Sequence, residues 1–74
     1  MANIENQGTL NRIRVILAEQ EKTNRWLADK IGKTEHTISR WCHNKSQPSM
    51  AQFVEIARLL HVDIKDLLEV ELDK

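Results

Sequence analysis

Apolar residues recur along most of the chain at the three-and-four spacing of helices, and small or polar residues cut that pattern into short segments. Between Thr23 and Pro48 the chain reads TNRWLADKIGKTEHTISRWCHNKSQP. Leu27, Ala28 and Ile31 share a narrow apolar face, which predicts a helix from about Asn24 to Ile31 with Thr23 as its N-cap. Gly32 follows directly, where glycine takes the left-handed conformation that ends helices without a Cβ penalty. Thr34 is a second N-cap, opening a helix over residues 35–43. Ile38, Trp41 and Cys42 fall on one side of that helix. Glu35, His36, Ser39, Arg40 and His43 are therefore expected to face outward, with Thr37 near the boundary.

The flanks are read in the same way. Residues 1–8, MANIENQG, have no period and carry no Lys or Arg, so they are expected to form a flexible arm with nothing to reach a nucleic-acid groove. Thr9 is a candidate N-cap for a first helix to about Glu21, with Leu10, Ile13, Ile16 and Leu17 as its buried stripe. Pro48 stops the chain from continuing the preceding helix, and Ser49 caps another from Met50 to Leu60. Met50, Phe53, Val54, Ile56, Ala57 and Leu60 give that helix a wide apolar face. Val62 is expected as a buried plug, and Asp63 caps a short fifth helix from Ile64 to about Glu69. The tail from Val70 to Lys74 alternates in polarity, which fits an extended helix, a strand paired with a second subunit, or a frayed end. The expected organisation is an arm over 1–8, a folded domain over 9–69 and a tail over 70–74.

Two short helices joined by about three residues with a glycine match the DNA-binding helix-turn-helix, whose second helix lies in the major groove. Helical hairpins with glycine turns also occur as plain structure, so spacing alone leaves both readings open. The rest of the composition narrows the class. Seventy-four residues allow one domain, the single cysteine permits no internal disulfide, and no run of apolar residues approaches a signal peptide or a membrane span. A cytoplasmic protein with no membrane role is expected. The formal net charge is zero, yet residues 1–48 hold eight Lys or Arg against five Asp or Glu, and residues 49–74 hold three against six. The basic half contains the paired short helices, as expected if one face meets phosphates, although ordinary scatter of surface charge fits the same small difference.

LADKIGKTEHTISRW, then a basic loop, Pro48-Ser49 and FVEIARLLHVDIKDLL, resembles the Cro and phage-repressor type of helix-turn-helix regulators over roughly residues 10–68. The resemblance implies an all-α, five-helix lambda repressor-like DNA-binding domain and a transcriptional regulator, most simply a repressor that occupies an operator in double-stranded DNA. Carried onto this sequence, the family's base-reading positions fall on Glu35, His36 and Thr37, with Arg40 one turn on and Ser39 secondary. Arg40 suits guanine or a phosphate, and Glu35 accepts from cytosine while repelling phosphates. Phosphate contacts are implied for Asn24, with Arg25 and Lys33 flanking it, and for His43, Asn44, Lys45, Ser46 and Gln47 beyond the second helix. The family commonly forms dimers on paired half-sites; the sequence itself marks no clear dimer surface, and the acidic C-terminal segment with Leu68, Val70 and Leu72 is the candidate.

Two departures from the family pattern stand out. Leu17 and Cys42 occupy places where many members pair an arginine with a glutamate, a concerted exchange of an ion pair for apolar packing. Asn44 and His61 replace two helix-ending glycines, of which Asn44 is the milder change because asparagine tolerates the left-handed conformation. Trp26 lies off the apolar stripe and is read as covering the edge of the core.

Catalysis has no support. Cys42 and His43 point about a hundred degrees apart on a helix, and the three histidines lack metal-ligand spacing, so no cofactor or metal is expected. The competing reading is a protein-interaction module, an antitoxin-like or adaptor protein using the same fold to bind a protein partner. Glu35 and the zero net charge favour it, whereas Arg40, Lys45 and the basic half oppose it.

Overall fold

The computed structural model describes the backbone of residues 9–70 and the side chains of residues 11–68. The chain runs through β1 (Thr9–Asn11), α1 (Ile13–Glu19), α2 (Asn24–Ile31), α3 (Glu35–Cys42), α4 (Met50–Leu60), a 3-10 turn (Ile64–Leu67) and β2 (Leu68–Val70). The class is all-α, with four α-helices and a 3-10 turn among the described residues where five helices were expected. The arm over 1–8 and residues 71–74 lie outside the described residues.

The helices begin where local chemistry places them. The Thr23 hydroxyl accepts the Trp26 N–H at 3.0 Å, the Thr34 hydroxyl accepts the Thr37 N–H, and Ser49 forms a reciprocal capping box with Gln52. They end just as locally. Glu21, Gly32, Asn44 and His61 all have positive φ, and the N–H of the residue after each reaches back to a carbonyl in the last helical turn. Asn44 therefore does what glycine would do at the end of α3, and His61 does so at the end of α4.

Several expectations are corrected. The first helix does not start at Thr9: residues 9–11 pair antiparallel with 68–70, Thr9 opposite Val70 and Asn11 opposite Leu68. The Arg12 N–H is taken by the Leu67 carbonyl at 2.8 Å and the Ile13 N–H by Asn11 Oδ1 at 3.0 Å. Helix α1 therefore starts at Ile13, without Thr9 as its cap. It stops at Glu19 because Gln20 and the left-handed Glu21 turn the chain. The fifth helix is only the 3-10 turn, in which Asp66 Oδ2 accepts the Asp63 N–H, and residues 68–70 are strand. Finally, α4 buries Phe53, Ile56, Ala57 and Leu60, while Met50 and Val54 are exposed.

The core gathers Ile13, Ile16 and Leu17 from α1, Leu27 and Ala28 from α2, Ile38, Trp41 and Cys42 from α3, the four residues of α4, and Leu67. Each fully buried Leu or Ile contributes about 1.5–3 kcal/mol. Leu17 and Cys42 are both buried, in keeping with apolar packing where an ion pair is usual. Val62 is half-buried rather than a sealed plug. The Gln20 amide donates to the Leu60 carbonyl at 2.7 Å, fastening the end of α1 to the end of α4.

Candidate nucleic-acid interface

Helix α3 is held from behind. Ile38 has no exposed surface, Trp41 and Cys42 are nearly as buried, and the αL turn at Gly32 sets α3 against α2 through the Ala28 carbonyl, which accepts both the Gly32 and Lys33 N–H groups. The opposite face carries Glu35, His36 and Arg40, all exposed, with Thr37 and Ser39 half-buried at its borders. Glu35, His36, Arg40 and His43 face outward and Thr37 lies at the boundary as expected, whereas Ser39, expected outward, is half-buried. The short helix thus presents Glu35, His36 and Arg40 on one accessible surface, edged by Thr37 and Ser39.

Helix α2 approaches that surface with its first turn. Asn24 is half-buried, and its Oδ1 accepts the Cys42 thiol at 3.5 Å. That contact turns the carbonyl oxygen of the amide inward and leaves the NH2 group as the outward donor. Arg25 and Lys33 are exposed. Trp26 is half-buried against the core, with the Lys22 and Lys30 ammonium groups 4.7 and 5.8 Å from its ring centroid. Cation–π attraction of this kind is worth about 0.5–1 kcal/mol at exposed sites. Burial pushes the Cys42 thiol above its ordinary value, opposed in part by the Arg14 charge.

The loop after α3 is more constrained than its sequence suggests. His43 Nδ1 lies 2.8 Å from the Ser39 carbonyl and 3.5 Å from its hydroxyl, so the ring folds back on α3 with Nε2 outward. Asn44 Oδ1 accepts from the Asn11 N–H at 2.8 Å and from Gln47 Nε2 at 2.9 Å, while Asn44 Nδ2 donates to the Asn11 carbonyl at 3.3 Å. Gln47 Oε1 accepts from Asn11 Nδ2 at 2.8 Å. Lys45 is exposed and Ser46 half-buried. The eight positions expected to meet phosphate thus lie at the start of α2, at the α2–α3 turn and on the loop after α3, but the Asn44 and Gln47 amides are already engaged within the chain. Asn11 was not among the expected site residues. A lone asparagine in a predicted helix gives no signal of this role.

Among the described residues no three His, Cys, Asp or Glu side chains gather as metal ligands, and no helix is long and apolar enough to cross a membrane.

A capped helix pair with a glycine turn, anchored by flanking helices and displaying a polar face, defines a helix-turn-helix domain. Residues 12–73 match the Cro/C1-type HTH DNA-binding domain, and the chain belongs to that family. Its structure is similar to the crystal structure of a candidate DNA-binding protein from Bacteroides fragilis, with 59% identity, a TM-score of 0.81, and coverage of 82% of this chain and 98% of that one. It is also similar to the solution structure of the SOS-response transcriptional repressor LexA from Eubacterium rectale, at 26% identity and a TM-score of 0.72 over 85% of this chain and 70% of that one. The transcriptional regulator VanUg, at 17% identity and a TM-score of 0.66, shares the fold over 99% of this chain and all of its own. No curated protein matches the chain.

Proposed function

We propose that this domain binds double-stranded DNA sequence-specifically and acts in the cytoplasm as a transcriptional repressor, by occupying an operator rather than by catalysis. The carrying observation is the exposed polar face of α3, backed by the fully buried Ile38. Laid in the major groove, that face brings Glu35, His36 and Thr37 to base edges, with Arg40 a turn further along and Ser39 at the border. Arg40 pairs with guanine or holds a phosphate. Glu35 accepts from a cytosine amino group and is repelled by phosphates. Asn24, Arg25 and Lys33 meet one strand of the backbone, and the loop over residues 43–47 meets the other through His43, Lys45 and Ser46, the Asn44 and Gln47 amides being engaged within the chain. A homodimer on paired half-sites would double this contact.

Selection from a randomised duplex pool at near-physiological salt tests the reading. One enriched motif, bound roughly a thousandfold or more over scrambled DNA, is the expected result, and its symmetry reports the dimer. Weak binding that is uniform across sequences and vanishes with salt would mean phosphate attraction alone. In that case Glu35, exposed in the first turn of α3, favours the second reading, a module that recognises a protein partner.

A further inference from the structure

Asn11 is the buried polar side chain of the described core, 5% exposed. A buried amide is tolerated only when hydrogen-bonded, and here every polar group of the residue is matched. Its side-chain oxygen accepts the Ile13 N–H, and its two Nδ2 hydrogens go to the Trp41 carbonyl at 2.7 Å and to Gln47 Oε1. Its backbone N–H and carbonyl are both paired with the Asn44 amide. Three of its partners therefore belong to the last turn of α3 and the loop beyond it. The Asn44 side chain stands in for a neighbouring strand along the outer edge of β1.

We infer that Asn11 is a positioning residue for DNA binding. Through Asn44 and Gln47 it holds the loop over residues 43–47 so that Lys45 and Ser46 meet the phosphates, and those two amides form the latch rather than the phosphate ligands. The inference rests on the DNA-binding reading above. A loop fastened in this way keeps one geometry before DNA arrives, so less ordering is left for the moment of binding. Both halves of the latch are amides, and neither brings a charge to the surface.

The test uses the full chain with Asn11→Ala, Asn44→Gly and the double substitution, against the duplex that the unaltered protein enriches and against scrambled DNA, over a salt series. Asn44→Gly guards against misfolding in Asn11→Ala, because glycine suits the left-handed turn. Each single change is expected to weaken binding about tenfold and to lower the steepness of the salt dependence by roughly one to two. The double substitution is expected to be no worse than the weaker single, because both cut the same latch. Ile56→Val, which only loosens the core, should leave that steepness unchanged. If Asn44→Gly binds poorly and Asn11→Ala binds as the unaltered protein does, Asn44 is a direct ligand and the inference fails. It fails equally if both singles bind normally. Nitrogen-15 relaxation without DNA separates the two layers of argument. Asn11→Ala should mobilise the Lys45 and Ser46 amides while those of α2 and α4 stay rigid, and an undisturbed loop overturns the latch even where DNA binding stands. An unaltered protein that enriches no duplex overturns the DNA-binding reading and the latch's role in it, whatever the loop dynamics.

Discussion

The Thr34 hydroxyl accepts the backbone N–H of Thr37 and donates to the Thr37 hydroxyl, both at 3.1 Å. With its oxygen accepting from Thr34, Thr37 keeps its own hydroxyl hydrogen, which in the proposed complex is available to a base acceptor. Thr37→Val preserves shape and removes that hydrogen. Specific binding should weaken by about 1–3 kcal/mol with scrambled DNA little changed, as measured by paired fluorescence-anisotropy titrations.

Arg40 stands exposed a turn further along α3. If it reads guanine, Arg40→Ala loses about 1–3 kcal/mol on the selected site and relaxes preference at one base pair. If it only grips a phosphate, all sequences weaken together and the salt slope falls by about one. Repeating the duplex selection with the variant distinguishes the two.

Glu21 and His61 hold φ of 58° and 60°, a region where an L side chain carries a penalty that glycine avoids. Glu21→Gly and His61→Gly should each stabilise the domain by up to about 1 kcal/mol, raising Tm by about 4–8 °C. Gly32→Ala runs the other way. At φ 72° the added Cβ meets nothing within 4 Å, so the loss is backbone strain alone, about 1–2 kcal/mol.

Burial raises the folded-state value of the Cys42 thiol above its ordinary 9.0. A raised value means the folded state holds the proton longer than the unfolded one. The corresponding stability is complete below the unfolded value and is lost as pH rises through the folded one. Urea midpoints of the unaltered protein relative to Cys42→Ala should stay level to about pH 9 and fall above it.

What was legible in the sequence was local. Thr23, Thr34 and Ser49 announce helix starts because a cap acts within three residues, and the bounds of α2 and α4 followed from that. Gly32 and Asn44 announced two of the ends. The ladder of residues 9–11 with 68–70 was hidden because three-residue strands are too short to show alternation and their partners lie about sixty residues away. Thr9 therefore looked like a cap for α1. Glu21 gave no sign of its turn, since glutamate is an ordinary helix former. At the interface, the outward face of α3 could be read from Ile38, Trp41 and Cys42 by subtraction, whereas the Asn11–Asn44–Gln47 amides needed coordinates. Nothing about three separated amides says that they meet.

The same ladder has a topological consequence. Because Thr9 lies opposite Val70 in antiparallel register, the two ends of the described chain are neighbours. A two-residue Asn-Gly turn could join them as an ordinary hairpin. The domain is then a ring that happens to be cut there. Reopened between Glu21 and Lys22, at the exposed turn between α1 and α2, the permuted chain would keep α3 and the loop after it intact.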